Sequence, residues 1–474
     1  MSDKIRSRFA PSPTGYMHIG NLRTALYEYL LAKNAGGTFI LRLEDTDQSR
    51  LVEGADQIIY DTLKEVGIIY DEGPDVGGDY GPYIQSKRKD NYLTYAKELI
   101  EKKAAYYCFC SKTYEQTTEG EITKYPRTCL NLTKEQIEKN LSNNKPYVIR
   151  QLIPSGTTTF TDEVFGTITV ENTELDDMVL IKSDGLPTYN FANVIDDHLM
   201  KITHIMRGSE YLSSTPKYNL LYQAFGFDIP IYLHLAPIAG EDGKKLSKRR
   251  GDASYNDLVS QGFLPQAIIN YIALLGFSPS GNQEFFTLEE LVKVFDIKGL
   301  SKSPAIFDRA KLTWMNSEYF KKMPPDDFYI KALPILEKNI KRTVDFKKIA
   351  TLVQSRINFL HDIENLVDFI DTLNDYDTAI YIHKKMKTTK ELSKNVLEEL
   401  LPLIESIETF KETFIKEQLD TFATKRELKN GQVLWPIRTA LTGKETSFCG
   451  ASELLEILGK EESILRIKKA IELL

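Results

Sequence analysis

From Ile5 to Leu43 the alternation of apolar and polar positions changes period twice. Ile5 to Ala10 reads as a short strand, and Pro11, Pro13 and Gly15 then stop both helix and sheet. From Ile19 the apolar residues fall at Ile19, Leu22, Leu26, Tyr29 and Leu30, one face of a helix. Ala35-Gly36-Gly37 ends it, and Thr38 to Leu43 returns as a strand, giving a β-loop-α-β unit with His18 and Gly20 at the helix mouth. Val52 to Val66 predicts an amphipathic helix; a second opens at Gln85 with Tyr92, Tyr95, Ala96 and Leu99 on one face. From Tyr106 to about Leu186 the pattern turns β-rich, with Thr167 to Val170 alternating as a strand does. The fold of the opening stretch resumes over Leu199 to Arg207; Thr215-Pro216 opens a helix that ends at Gly226.

After Asp257 the chain reads as almost wholly helical, with a loop at Phe277 to Gly281 and a domain edge at Pro324-Pro325. Ile349, Leu352, Val353, Ile357, Leu360, Ile363, Val367 and Ile370 trace one continuous apolar stripe, and Ile464, Ile467, Ile471 and Leu474 repeat the style. Such stripes are core and say nothing of a ligand.

Composition narrows this picture modestly. A chain of 474 residues calls for two to four domains. Hydrophobic content of 42% and charged content of 27%, with no apolar run of spanning length and no signal-like N-terminus, predict a cytoplasmic globular protein without a membrane partner. The net charge of −7 argues mildly against nucleic acid, but phosphate contacts need only a local basic strip. Of four cysteines, Cys108, Cys110 and Cys129 cluster, which suits a metal site in a reducing compartment better than a disulfide framework; Cys449 stands alone as a buried thiol.

The chemistry suited to the helix mouth is anion binding, because the first backbone N–H groups have no internal partner and carry the positive end of the dipole. Gly20 would admit a phosphate to the backbone, or simply permit close packing, and His18 can donate to one. Far downstream, Lys244-Lys245-Leu246-Ser247-Lys248-Arg249-Arg250 follows an apolar strand, Ile231 to Ile238, and the Gly240 to Gly243 loop. It reads as a basic loop after a buried strand rather than a solvated charge run.

His18-Ile-Gly20 and Lys245-Leu-Ser-Lys-Arg249 together resemble the two signature motifs of class I aminoacyl-tRNA synthetases. Arg8 to Gly15, Leu41 to Asp47, Leu186 to Asn193, Arg207-Gly-Ser-Glu210 and Leu434 to Gly443 narrow the likeness to the glutamyl/glutaminyl branch, and to its bacterial glutamyl members. The resemblance implies an α/β fold: a Rossmann-like parallel-sheet catalytic domain with a β-rich insertion, then an all-α anticodon-binding region, where glutaminyl members carry β-barrels. The expected division is catalytic at 1–105 and 191–250, acceptor-end insertion at 106–190, stem contact at 251–325 and anticodon binding at 326–474.

The reaction so implied is glutamate–tRNA ligation: glutamate and ATP, with Mg²⁺, give glutamyl-adenylate and pyrophosphate, and the 3' end of tRNA-Glu takes the acyl group. By the same resemblance His18, Lys245 and Lys248 are catalytic, while Gly20, Glu210, Ser247, Lys248 and Arg249 hold ATP. Arg8, Ala10, Ser12, Glu44, Tyr189, Asn193 and Arg207 surround glutamate, and Arg207 is the expected discriminator, since glutaminyl members keep no arginine there. Cys108, Cys110, Tyr125 and Cys129 resemble the ligands of the zinc-bearing members, with structural Zn²⁺ clamping the insertion. A monomer is the family habit. A member that also charges tRNA-Gln is the alternative; a short nucleotidyltransferase, a truncated paralogue that glutamylates a modified base, and a tRNA-binding protein without catalysis are the rivals.

Overall fold

The computed structural model describes residues 4–47, 50–110, 125–244, 246 and 254–474. They fall into two compact units, Met1–Gln261 with Pro265–Arg309, and Gly262–Leu264 with Ala310–Leu474. No helix among the described residues is long and apolar enough to cross a membrane.

In the first unit β1 (Arg6–Phe9), α1 (Ile19–Asn34) and β2 (Thr38–Leu41) form the expected β-loop-α-β unit, the two strands pairing in parallel. β3 (Ala105–Cys108), β4 (Val148–Gln151) and β7 (Val179–Ile181) make an antiparallel sheet. The other strands are β5 (Thr157–Asp162), β6 (Gly166–Glu171), β8 (His204–Gly208) and β9 (Ile231–Leu235). They lie in the order β6-β5-β9-β8, with β8 and β9 parallel and Arg207 opposite His234. β5 meets β9 in parallel where Asp162 faces Tyr232.

A side chain opens the sheet between β1 and β8. Thr203 N donates to Arg6 O at 3.0 Å. Two residues on from β8's start, Met206 N donates instead to the Glu28 carboxylate of α1 at 2.6 Å, and Arg8 reaches the same oxygen at 3.3 Å. A buried charged helix residue thus takes the place of a ladder rung.

α1 is buried on more than the one face its apolar spacing predicts. Ala25, Tyr27, Glu28, Leu31 and Ala32 are covered along with Ile19, Leu22, Leu26 and Leu30, while Tyr29 stays partly exposed. The reason lies above it: Tyr27 Oη donates to Ala273 O (3.1 Å) and Leu275 O (2.9 Å), and Asn34 Nδ2 to Val292 O (2.7 Å). A helix sandwiched between sheet and helices has no solvent face for most of its length. The β-rich stretch also holds a helix that the alternation did not predict, Lys134–Ser142. Its apolar residues, Ile137 and Leu141, are only partly buried against the cluster around Cys108 and Cys129, too short a stripe to stand out, but Thr133 and Gln136 form a capping box that marks its start.

The second unit is helical, around a core that includes Phe320, Phe328, Leu336, Leu397, Leu400, Ile437 and Ile467. The stripe from Ile349 to Ile370 is core, but it is cut into two helices, Phe346–Val353 and Asp362–Val367. Asp362 makes the cut, since its Oδ2 accepts from the N–H groups of Asn358 (2.8 Å) and Phe359 (2.9 Å) and holds the turn.

Candidate active site

A cavity of about 460 Å³ opens beyond the C-terminal ends of β1, β2 and β8, the usual binding edge of a parallel sheet. Arg8, Ala10, Ser12, Glu44, Tyr189 and Arg207, all expected around glutamate, line it, and Glu210 joins them. Asn193 does not; it is buried behind the wall, its Nδ2 donating to Tyr189 O at 3.0 Å one helical turn back.

His18 and Gly20 sit at the start of α1 but differ from the simple phosphate cradle. His18 is the N-cap, and its Nδ1 accepts the Gly20 N–H at 3.0 Å. That bond occupies the N–H expected to meet a phosphate. In the neutral ring it also leaves the proton on Nε2, the nitrogen that can donate. The helix residues on the cavity wall are Asn21 and Thr24, one turn further in. Lys245, Ser247, Lys248 and Arg249 lie outside the described residues.

Two of the cavity's arginines, Arg8 and Arg207, are finished differently. Arg8 is engaged on every nitrogen: Nε and Nη2 grip Asp197 (3.0 and 3.3 Å), and Nη1 meets Glu28 (3.3 Å). Arg42 holds Asp197 (2.7 Å) and Glu44 Oε1 (2.9 Å), and Gln85 Nε2 is 3.4 Å from the same Glu44 oxygen. Burial pushes Glu28 up to about 8, with Arg8 opposing. Burial likewise lifts Glu44 to about 7 against the pull of Arg42. Burial would raise Asp197 too, but the guanidiniums of Arg42 and Arg8 outweigh it and hold the group below its ordinary value.

Arg207 is 5% exposed and held from several sides. Its Nε meets His234 Nε2 (3.2 Å), its Nη2 donates to Thr215 Oγ1 (3.0 Å), and its Cζ lies 4.7 Å from the ring centre of Tyr218. Its Nη1 is buried with no hydrogen-bond partner, and so is Glu44 Oε2. Two residues of one cavity therefore each keep one unused atom, a cationic donor and a carboxylate acceptor. Buried polar atoms are rarely left so, and such exceptions call for an explanation.

Sequence reasoning missed the layer behind these residues: Arg42, Glu28, Asp197, His234 and Asp162. A signal was there, since Asp196-Asp197 interrupts a helix whose other inner residues are Phe191, Ala192, Val194 and Ile195, all buried. It also missed Thr46, Arg50 and Tyr211 on the wall, which no periodicity distinguishes.

Apart from the cavity, Cys108, Cys110 and Cys129 bring their sulfurs within 4.8 Å of one another. Tyr125 Oη is 3.1 Å from Cys108 Sγ and 3.6 Å from Cys110 Sγ, and Cys110 and Cys129 Sγ are 3.4 Å apart. Tetrahedral zinc with ~2.3 Å bonds to sulfur sets its ligands about 3.8 Å apart, so the four donors fit that cation. In the second unit a cavity of about 570 Å³ is lined by His383, Met386, Trp435 and Arg438. Trp435 Nε1 donates to Ile380 O (2.9 Å), and Arg438 lies 4.3 Å from its ring centre.

Residues 4–314 match the family model of the class I tRNA synthetase (E and Q) catalytic domain, and residues 327–471 match an anticodon binding domain. The chain is 58% identical to a glutamate–tRNA ligase of Clostridium botulinum (strain Eklund 17B), covering all of this chain and 99% of that one. It is 55% identical to the glutamate–tRNA ligase of Lachnoclostridium phytofermentans over 99% and 98% of the two. A crystal structure of a glutamate tRNA ligase from Elizabethkingia meningosepticum, in complex with its amino acid, superposes with TM-score 0.90 at 37% identity, covering 99% of each chain. The parallel-sheet first unit, the helical second unit and these matches from end to end lead to one conclusion: the chain belongs to the class I tRNA synthetases of the glutamyl and glutaminyl branch.

Proposed function

We propose that the 460 Å³ cavity binds L-glutamate between Arg207 and Glu44 and activates it for transfer to tRNA. The chain is a glutamate–tRNA ligase, and class I synthetases use ATP and Mg²⁺. A glutamate carboxylate oxygen attacks the α-phosphorus of ATP, the bond to the β-phosphate oxygen breaks, and pyrophosphate leaves. A terminal ribose hydroxyl of tRNA then attacks the acyl carbon, its proton is lost, and AMP departs.

The observation that carries this reading is the pair of unused buried atoms. Arg207 Nη1 offers an N–H to the side-chain carboxylate, and Glu44 Oε2 accepts from the α-ammonium. Arg8, paired with Asp197 and Glu28, shapes the floor and shares Asp197 with Arg42, which in turn holds Glu44. Ala10, Ser12 and Tyr189 complete the wall, with Asn193 bracing Tyr189 from behind. His18 Nε2, the mouth of α1 with Gly20, and Glu210 receive ATP. Lys245 and Lys248, with Ser247 and Arg249 on the same loop, neutralise charge that builds on the leaving pyrophosphate.

Cys108, Cys110, Cys129 and Tyr125 hold one structural Zn²⁺, which ties β3 to the segment around Cys129. The Trp435 ring, flanked by Arg438 and His383, is a stacking platform for a tRNA base. The substrate is tRNA-Glu, and the chain acts as a monomer in the cytoplasm.

Glutamate-dependent ATP–pyrophosphate exchange, run with tRNA present, tests the reading. Glutamine would leave the Arg207 charge without a partner, so Arg207→Gln is expected to lower the glutamate-to-glutamine ratio of kcat/KM by at least about a hundredfold. A ratio that stays put removes Arg207 from its role. Charging of purified tRNA-Gln by the wild-type chain would favour the wider specificity instead.

A further inference from the structure

Arg207 can discriminate only if its one unused nitrogen points at a fixed place, and the structure shows what fixes it. Behind the guanidinium runs a chain of buried groups. Arg207 and His234 are register partners on β8 and β9. His234 Nε2 lies 3.2 Å from Arg207 Nε, and His234 Nδ1 lies 2.7 Å from Asp162 Oδ2. Both His234 and Asp162 side chains are wholly buried. Asp162 is itself locked: its Oδ2 also accepts from His234 N (2.9 Å), and its Oδ1 accepts from Val164 N (3.0 Å) and Phe165 N (2.7 Å).

The direction of every bond in this chain is determined. A guanidinium has no acceptor, so the Arg207 Nε–H must donate and His234 Nε2 must carry a lone pair. His234 then holds its one proton on Nδ1, which is where a carboxylate waits. Thr215 does not compete for that lone pair, because its hydroxyl donates to Tyr211 O (2.9 Å) while accepting from Arg207 Nη2. Burial also pushes the His234 pKa down, keeping the ring neutral. With two of its three nitrogens committed this way, the guanidinium plane is fixed, and Nη1 is left without a partner on a residue that lines the cavity.

We propose that Asp162 and His234 are positioning residues for Arg207: they hold the His234 ring in the one tautomer that aims Arg207 at an acidic side chain, and so set amino-acid preference from a strand that does not line the cavity. The proposal rests on the reading that Arg207 receives the substrate carboxylate. It gives Asp162, at the end of the β5–β6 hairpin, a part in glutamate recognition although the cavity wall does not include it.

Asp162→Asn is nearly the same size but presents an N–H₂ where His234 Nδ1–H needs an acceptor. The ring then shifts its proton to Nε2, which repels the Arg207 Nε–H. His234→Gln places an amide oxygen near the Nε2 position and can still accept from Arg207, whereas His234→Leu cannot.

The test is tRNA-dependent pyrophosphate exchange with glutamate and with glutamine, alongside Arg207→Gln and thermal unfolding. Asp162→Asn and His234→Leu are expected to raise KM for glutamate and lower the glutamate-to-glutamine kcat/KM ratio by about tenfold or more, leaving KM for ATP unchanged. His234→Gln should keep that ratio within about threefold of wild type. If Arg207→Gln collapses the ratio while Asp162→Asn and His234→Leu keep it and merely unfold sooner, the dyad is structural and the proposal is overturned. If Arg207→Gln itself leaves the ratio unchanged, the underlying reading fails instead. Should Asp162→Asn not fold, equal ratios for His234→Leu and His234→Gln overturn the proposal, and unequal ones support it.

Discussion

The interior of the second unit and the cavity wall of the first each bury a guanidinium, and they complete it in different ways. Arg466 is 2% exposed, and each of its nitrogens has a partner: Nε the Glu462 carboxylate (2.7 Å), Nη1 Leu441 O (2.6 Å) and Nη2 Ile370 O (3.0 Å). It satisfies backbone carbonyls that would otherwise be orphaned inside the helical core. Arg207, equally hidden, keeps Nη1 unused. Burial alone therefore does not mark a functional arginine, and an unfilled donor does so only on a residue that lines the cavity: Arg23 Nε and Arg150 Nε are likewise unpartnered, and neither residue lines it. Arg8 shows the same rule within the cavity, since it lines the wall yet is already paired with Asp197 and Glu28.

The largest effect expected from this contrast is on stability. Arg466→Leu removes three partners and leaves two buried carbonyls unsatisfied at about 1–3 kcal/mol each, so unfolding free energy should fall by roughly 3 kcal/mol. Pyrophosphate exchange with glutamate, measured at a temperature where the variant is still folded, should be unchanged. Arg207→Gln should do the reverse, losing discrimination with little loss of stability. A matched pair of denaturation curves and exchange rates checks both. If Arg207→Gln were the more destabilised of the two, the unused donor would be no guide to function.

What the sequence made legible follows this division. Motif-scale placement was readable: six of the seven residues expected around glutamate line one cavity, because short matched stretches carry whole site segments. The helical second unit was readable from apolar spacing alone. Asp162, His234, Asp197 and Glu28 were not, because each acts through a residue far away in the chain and carries no spacing of its own. Asp162 is 72 residues from His234, and Arg8 is 189 from Asp197. The unbroken stripe from Ile349 to Ile370 misled for a related reason: periodicity reports which positions are buried, while the turn that cuts the helix comes from the single carboxylate of Asp362. The capping box at Thr133 and Gln136 was present in the sequence, but on a helix with only two partly buried apolar residues, Ile137 and Leu141.

The second unit has its own candidate ligand surface, and it differs from the first in kind. Its candidate platform is an aromatic ring whose only polar atom is already bonded to Ile380 O, with Arg438 4.3 Å and the His383 ring 4.0 Å from its centre. Trp435→Ala should weaken tRNA binding by about 1–3 kcal/mol, the range for one stacked base. Glutamate KM should stay near its wild-type value once tRNA is saturating. A filter-binding titration at fixed salt measures the first, and a shift confined to glutamate KM would contradict the assignment.

The smallest and most specific expectation concerns pH, which should separate the two surfaces. In the proposed pair Glu44 would accept the α-ammonium only when ionised, and burial has lifted its carboxyl to about 7, so it titrates inside the working range. Above about 7 the carboxylate is present and the pair forms; as pH falls through that value, a proton must first be removed. One proton lost per ligand bound means that KM for glutamate should rise by at most about tenfold per pH unit below the transition. Free glutamate does not blur the reading, since its own ammonium and side-chain carboxyl keep their charges between about pH 6 and 8. The groups around Glu44 are Arg42, Gln85, Arg8 and Asp197, which do not titrate there; Glu28, on the far side of Arg8, is pushed up to about 8 and titrates near the upper end of the interval. Trp435 itself carries no titrating group, and with its neighbour His383 replaced by Gln the tRNA affinity should change far less over the same interval. Glu44→Gln provides the control: it should bind glutamate weakly at every pH, with a flat KM profile. A wild-type KM that is also flat from about pH 8 to about pH 6 would mean that the ammonium is received elsewhere on the wall.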